Sequence, residues 1–163
     1  MAISEAEFVA RYGGIYEHSP WVAEEAAPVA AGTGELEKIA AIMADCVDNA
    51  SRERQLALIR AHPDLAGKAQ IAGELTKDST SEQASAGLDQ CSADEFASFQ
   101  MLNRDYHEKF GFPFVMAVRD CGRADILAAF ERRLQNDNET EFETALAEIH
   151  KIARLRLQAM GTD

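Results

Sequence analysis

Hydrophobic residues recur three and four positions apart along most of this chain, and no segment sustains the alternation of apolar and polar residues typical of a strand. The clearest stripe ends at Gly111 and consists of Phe96, Phe99, Leu102, Tyr106 and Phe110. This spacing places successive side chains on one face of an α-helix. We therefore predict an all-α fold, a compact single-domain helical bundle of about seven to nine helices over residues 1–163.

Capping residues and helix breakers divide the chain into its predicted elements. Four helices are predicted to begin at or just after a serine, namely Ser4, Ser19, Ser51 and Ser92. Three more are predicted to span Glu35–Asn49, Arg123–Leu134 and Glu139–Ala159. Serine hydroxyls accept hydrogen bonds from the free N–H groups of a first helical turn, and Pro20 suits a first helical position. The alanine-rich segment 22–34 fits either an irregular helix or a loop. Phe112–Val118 follows a glycine and contains Pro113, so we predict that it is an extended, buried connector.

Composition and charge narrow the classes of partner. Hydrophobic residues make up 47% of the chain and charged residues 27%, as in ordinary globular domains. The formal net charge of −12 disfavours nucleic acids and anionic membranes, both of which are polyanions, and favours a small molecule or a protein. The first residues lack the basic and apolar segments of a signal peptide, and no apolar run has the length of a membrane span. We expect a cytoplasmic protein.

Cysteine and histidine spacing gives no metal or disulfide signature. Cys46, Cys91 and Cys121 are far apart and form no CxxC pair, so neither a disulfide framework nor a zinc site is predicted. We expect three buried, apolar thiols. The four histidines include no HxH or HxxxH pair, which leaves no local signature of a metal site.

Two short segments near the middle of the chain contain the candidate catalytic residues. The first contains His62 before Pro63, and a residue before proline is displaced from helical dihedral angles. His62 should therefore end its helix and project from a turn. The second is Ser79-Thr80-Ser81-Glu82-Gln83, which has the pattern of a capping box. Either a helix cap alone, or a capped helix start that also binds an anion, explains that pattern.

Several motifs in the same order resemble the family of 2-oxo-4-hydroxy-4-carboxy-5-ureidoimidazoline (OHCU) decarboxylases. They are Gly14–Trp21, His62–Leu65, Ser79–Gln83, Asn103 with Tyr106, Phe110–Phe114, Glu148-Ile149 and Arg156-Leu157. The resemblance implies an all-helical, cofactor-free homodimer that decarboxylates OHCU to (S)-allantoin, the last step of urate degradation. It also implies functional coupling to urate oxidase and hydroxyisourate hydrolase.

The resemblance further implies a set of site residues. The catalytic pair is His62 and Glu82, with His62 exchanging a proton with the substrate and Glu82 orienting its imidazole. The substrate-binding residues are Pro63, Ser79, Gln83, Phe114, Val115, Met116, Ala117, Val118 and Arg156. The substrate ring offers its own electron sink beside the departing carboxylate, so neither a metal nor an organic cofactor is expected.

Some alternatives stay open at this point. His18 lies in one of the shared motifs and is the competitor of His62, although a structural role beside a helix cap suits it better. Arg154 is the competitor of Arg156, whereas His107 and His150 are predicted to be solvated surface residues. An all-α interaction module without catalysis is the second functional hypothesis, and decarboxylation of a related ureido or imidazoline acid is the third.

Overall fold

The computed structural model describes residues 3–67 and 73–161, and these residues contain helices but no β-strand. The α-helices are α1 (Glu5–Tyr12), α2 (Trp21–Ala30), α3 (Leu36–Asp48), α4 (Arg52–Ala61), α5 (Lys77–Ser85), α6 (Ala93–Phe110), α7 (Arg123–Arg133) and α8 (Asn138–Gly161). One turn of 3₁₀-helix, Leu88–Gln90, precedes α6. The prediction of an all-α fold is confirmed.

The chain divides into two compact units. The first contains the residues up to Ala61 and those from Ile149 onward, and the second runs from His62 to Glu148. Helices α1–α4 and the end of α8 belong to the first unit, and α5–α7 with the start of α8 belong to the second. The expectation that residues 1–163 form a single domain stays a prediction.

In the first unit, α2 packs against both α1 and α3. Its buried face consists of Val22, Ala23, Ala26, Ala27 and Ala30. Small side chains of this kind allow neighbouring helices to approach closely. Of the alanine-rich segment 22–34, whose structure the sequence left open, residues 22–30 are helical and residues 31–34 are not. The predicted cap is wrong, because Ser19 Oγ donates to Glu17 O at 2.8 Å and Pro20 occupies the N-cap position without a side-chain bond.

In the second unit, an aromatic cluster surrounds Tyr106 on α6. Its ring centroid lies 4.5–6.2 Å from those of Phe110, Phe112, Phe114 and Phe130. Most of these contacts are edge-on, the arrangement that aromatic quadrupoles favour. The connector Phe112–Val118 is non-helical and supplies two of these rings, as its glycine and proline predict.

The ends of α6 confirm the predicted boundaries. Ser92 Oγ accepts from Glu95 N at 3.1 Å and Glu95 Oε1 accepts from Ser92 N at 2.9 Å, which is a complete capping box. Gly111 ends the helix in the left-handed region with φ of 80°, where a side chain would be strained.

The cysteines differ from their prediction. Cys46, Cys91 and Cys121 are all free thiols, but each is partly exposed rather than buried. Partial burial is nevertheless the main cause that raises the pKa of each thiol above its ordinary value. They are therefore weak nucleophiles at neutral pH.

Candidate active site

The candidate histidine lies in a tight turn that follows α4, here called the His62 turn (residues 62–67). Helix α4 ends at Ala61, and the His62 side chain is buried with 7% exposure. Ala66 has a φ of 52°, a left-handed conformation that costs a residue with a Cβ about 1–2 kcal/mol. The helix end predicted from the His-Pro pair is confirmed, and the strained turn requires neighbours that hold it.

Helix α5 holds the His62 turn through Gln83. The Gln83 Oε1 atom accepts from Ala66 N at 3.0 Å, and its Nε2 donates to Asp64 O at 3.1 Å. The Gln83 side chain is only 2% exposed. An amide group retains a second N–H and a second lone pair beyond these two bonds, so its expected role in substrate binding stays a prediction.

The start of α5 differs from the predicted capping box. The helix begins at Lys77, and Thr76 is its N-cap, with Oγ1 accepting from Ser79 N at 3.2 Å. Ser79 is therefore the third residue of the helix and not its cap, so the capping box read from Ser79 to Glu82 is wrong. Ser79 and Gln83 lie four residues apart and share the buried face of α5, while Glu82 beside them is partly exposed.

Helix α6 contacts the same turn from another direction. Gln100 Nε2 donates to Ala66 O at 2.8 Å, and Asn103 Nδ2 donates to Leu65 O at 2.9 Å. One turn further along α6, His107 Nε2 lies 2.8 Å from the Asp64 carboxylate. The His107 side chain is 43% exposed, as predicted, but it is engaged by Asp64 rather than only by solvent.

None of these α6 residues is among the site residues expected from the sequence. A signal for Asn103 was nevertheless present, because it follows Phe99 by four residues and so shares the apolar face of the helix. A polar side chain in an apolar stripe is buried and requires a partner. Gln100 and His107 then lie one turn to either side of Asn103.

The connector is held by side chains of α7 and α8. Arg133 Nη1 donates to Val115 O at 2.8 Å, and its guanidinium lies 4.2 Å from the centre of the Phe114 ring. The Ala117 N–H, expected to serve the substrate, donates to Glu148 Oε1 at 3.2 Å. Met116 beside it is partly exposed.

A buried carboxylate anchors that arrangement. Glu141 is fully buried and accepts from the Tyr106 hydroxyl at 2.5 Å, from Arg133 Nε at 2.8 Å and from Asn136 Nδ2 at 2.8 Å. Burial, and then the hydrogen bond to Glu141, hold the pKa of Tyr106 well above its ordinary value. The tyrosine therefore stays a neutral donor, and a charged pair fixes the guanidinium that contacts the connector.

The two candidate arginines differ in their surroundings within the first unit. Arg156 is 5% exposed, with Nη1 donating to Ile15 O at 3.2 Å and lying 3.6 Å from the buried Glu17 carboxylate. The Arg154 side chain is 61% exposed and lies 4.0 Å from Glu37. Burial beside a carboxylate is typical of a fixed guanidinium. The substrate-binding role of Arg156 stays a prediction.

The two histidines of the first unit are His18 and His150. His18 is exposed and has a φ of 47°. His150 is not the solvated residue that was predicted, because its Nδ1 lies 2.8 Å from the Tyr16 hydroxyl and its Nε2 lies 3.0 Å from Asp48. Among the described residues, no group of three or more His, Cys, Asp or Glu side chains is placed to hold a metal ion.

Comparison with known proteins extends the sequence resemblance to the whole chain. The OHCU decarboxylase family model matches residues 1–158. A 2-oxo-4-hydroxy-4-carboxy-5-ureidoimidazoline decarboxylase of Haloferax volcanii is 48% identical over 155 residues, which are 95% of this chain and 89% of that protein. A uric acid degradation bifunctional protein of a Bacillus species is 42% identical over 96% of this chain, which spans 30% of that protein.

A solved structure agrees with this assignment. The crystal structure of an (S)-allantoin synthase superposes with a TM-score of 0.77 at 34% identity, covering 96% of this chain and 50% of that one. Both the sequence match and the fold therefore extend over nearly the whole of this chain. The chain belongs to the OHCU decarboxylase family.

Proposed function

We propose that this protein decarboxylates OHCU to (S)-allantoin and that His62 transfers the proton. The protein is a carboxy-lyase of urate degradation by its family, and the expected reaction class is confirmed. The observation that carries the role of His62 is its burial in a turn whose backbone is bonded by side chains of two different helices. Such fixed placement is what proton transfer in a transition state requires.

The reaction can be written without an external electron acceptor. The carbon–carbon bond to the carboxylate breaks, carbon dioxide leaves, and the electron pair enters the neighbouring unsaturated bond of the ring. Allantoin forms when the hydroxyl loses its proton to become a carbonyl, and protons are added to the neighbouring carbon and to the ring nitrogen that received the electron pair. One of these two protons replaces the proton that the hydroxyl lost, and solvent supplies the other. His62 exchanges a proton either with the substrate hydroxyl during carbon dioxide loss or with the carbanion that develops at this neighbouring carbon, and delivery from one face sets the S configuration.

The remaining site residues receive roles consistent with their chemistry. Glu82 orients the His62 imidazole, and Arg156 pairs with an anionic or urea oxygen of the substrate. The groups proposed to bind the ureido and ring amides are Pro63, Ser79, Gln83 and the backbone of Phe114, Val115, Met116, Ala117 and Val118. To bind the substrate, the Ala117 N–H would have to break its hydrogen bond to Glu148 and donate to the substrate instead.

The proposal extends to the assembly of the protein, its location and its coupling to other enzymes. A homodimer is the assembly that the family resemblance implies. The described helices include no segment with the length and hydropathy of a membrane span. Three free thiols suit the reducing cytoplasm, where we place the protein. The match to one part of a uric acid degradation bifunctional protein supports coupling to another activity of uric acid degradation. Urate oxidase and hydroxyisourate hydrolase are the partners that the family resemblance implies.

The test follows (S)-allantoin formation by circular dichroism, with OHCU generated in situ by urate oxidase and hydroxyisourate hydrolase. Spontaneous decay gives a racemate, so the optical signal reports catalysis. We expect His62→Asn to lower kcat at least about 100-fold, the contribution of a positioned proton-transfer group. The control is His18→Asn, because asparagine tolerates the positive φ at that position.

Each contrary outcome has a distinct meaning. A full (S) signal from His62→Asn would move the proton chemistry to another residue, with His18→Asn showing whether it is His18. A racemic product from the unmodified protein would overturn the proposal in favour of the interaction module. Faster turnover of a related ureido acid than of OHCU would reassign the substrate.

A further inference from the structure

Three side-chain amides bind the backbone of the His62 turn, and we call Gln83, Gln100 and Asn103 the amide clamp. Gln83 bonds the Asp64 carbonyl and the Ala66 N–H, Gln100 bonds the Ala66 carbonyl, and Asn103 bonds the Leu65 carbonyl. Three consecutive peptide carbonyls are thus held by side chains rather than by secondary structure. Side chains therefore fix the turn where a helix or strand would otherwise do so.

Asn103 is the most buried α6 member of the amide clamp, with 4% exposure. Its Oδ1 atom is buried and accepts no hydrogen bond from any other described residue. An unsatisfied buried acceptor costs free energy, and an apolar side chain of the same size would avoid that cost. Leucine would avoid that cost but would take from the Leu65 carbonyl its bond to Asn103, so what asparagine supplies in return for its unpaired Oδ1 is the Nδ2–H donor to Leu65 O.

The backbone of the His62 turn is strained at Ala66, next to the carbonyl that Asn103 bonds. Ala66 keeps its left-handed φ of 52° while its N–H and carbonyl are both held by clamp residues. A strained conformation persists only where the surroundings over-determine it. Loss of the Asn103 bond would leave the Leu65–Ala66 peptide held only through its N–H, by Gln83, and His62 lies three residues before Leu65 in the same turn.

We infer that Asn103 is a positioning residue for His62, acting through the Leu65 carbonyl. This inference rests on the proposed role of His62. A misplacement of a reacting group by about 1 Å costs about 100-fold in rate. We therefore expect Asn103→Leu to lower kcat about 10-fold to 100-fold with KM changed less than about threefold, because Asn103 bonds the backbone of the turn and is not among the proposed substrate-binding residues.

The matched control is Asn138→Leu. Asn138 Nδ2 also donates to a backbone carbonyl, Phe110 O at 3.1 Å, which lies in the same unit but at the end of α6 and not in the His62 turn. Its replacement should lower the unfolding midpoint while leaving kcat within about twofold of the unmodified protein. Both variants are assayed by the (S)-allantoin signal at a temperature well below their unfolding midpoints.

A second measurement does not depend on turnover. The His62 ring-proton resonance, assigned by its absence in His62→Asn, should shift in Asn103→Leu and stay in place in Asn138→Leu. If Asn103→Leu does not fold, Gln100→Leu replaces it, because Gln100 bonds the next carbonyl of the same turn. That variant should show the same loss of kcat and the same shift.

The outcomes separate this inference from the proposed function. Full activity and an unmoved resonance in the folded clamp variant, with His62→Asn inactive, would overturn the positioning role and leave the proposed function intact. Activity that falls only in proportion to the folded fraction would also overturn it. An active His62→Asn would refute the proposed function, whatever the clamp variants do.

Discussion

The buried ion pair between Arg133 and Glu141 gives the sharpest prediction about stability. Glu141 is fully buried and Arg133 is 7% exposed, and Tyr106 adds a hydrogen bond to the same carboxylate. The perturbation is Glu141→Gln, which keeps the size of the side chain and one carbonyl acceptor but removes the charge. The guanidinium then has no opposing charge at its Nε side.

The magnitude follows from that geometry. Removing one partner of a buried ion pair costs about 3–5 kcal/mol, because the other charge is left uncompensated. The glutamine carbonyl, in the place of Glu141 Oε1, can retain two of the three donors, those of Tyr106 and Arg133, which places our expectation near the lower end, about 3 kcal/mol. Tyr106→Phe removes only the hydroxyl donor and leaves the ion pair, so it should cost about 1–2 kcal/mol. Glu141→Gln should therefore be the more destabilising of the two.

The assay is urea unfolding followed by far-ultraviolet circular dichroism, with the free energy of unfolding obtained by linear extrapolation. A double variant, Arg133→Met with Glu141→Leu, removes both charges at once. Since the desolvation cost disappears with the pair, this double variant should be more stable than Glu141→Gln alone. The Tyr106→Phe variant serves as the matched control for loss of a single hydrogen bond.

Two results would refute this reasoning. A Glu141→Gln variant within about 1 kcal/mol of the unmodified protein would show that neutral hydrogen bonds suffice at this position. A double variant less stable than Glu141→Gln would show that the pair contributes net attraction beyond its desolvation cost. Either result would also remove the ion pair as the reason why Arg133 contacts the connector.

Two further predictions concern pH and substrate binding. Hydrogen bonds from Ser92 and then from Arg123 lower the pKa of Glu95 in the folded protein. The stabilising effect of Glu95 is therefore present above the ordinary glutamate pKa and is lost as the pH falls through the lower pKa of the folded protein. On acidification, the urea midpoint of Glu95→Gln should therefore fall less than that of the unmodified protein. Arg156→Gln should raise KM for OHCU at least about tenfold and Arg154→Gln less than about twofold; equal effects in the coupled assay would contradict the assignment.

The helices themselves could be predicted because their signals are local. The start and end of α6 follow from Ser92, Glu95 and Gly111, which act within one turn of the residues they cap. The same logic failed at α5, where Thr76 and Ser79 both had suitable side chains three residues apart. Thr76 is the cap and Ser79 lies on the buried face of the helix, a distinction that depends on tertiary packing.

The amide clamp could not be predicted because its bonds join distant segments. Gln83, Gln100 and Asn103 bond to residues 17, 34 and 38 positions away, and side-chain periodicity contains no information about such partners. Periodicity does show that a polar residue shares an apolar face, as Asn103 does. The sequence thus predicts that such a residue needs a hydrogen-bond partner, but it does not predict which residue that partner is.

The proposed chemistry gives a reason why buried polar side chains hold the two irregular segments of the second unit, the His62 turn and the connector. Since the substrate supplies its own electron sink, the protein has only to orient it and move a proton. Loops do this poorly unless their backbone is fixed, because unpaired peptide groups leave many conformations open. Here the His62 turn is fixed by amides, and the connector is fixed by the guanidinium of Arg133. Side chains on helices thus fix the backbone of the two irregular segments, one of which holds His62, the proposed proton-transfer residue.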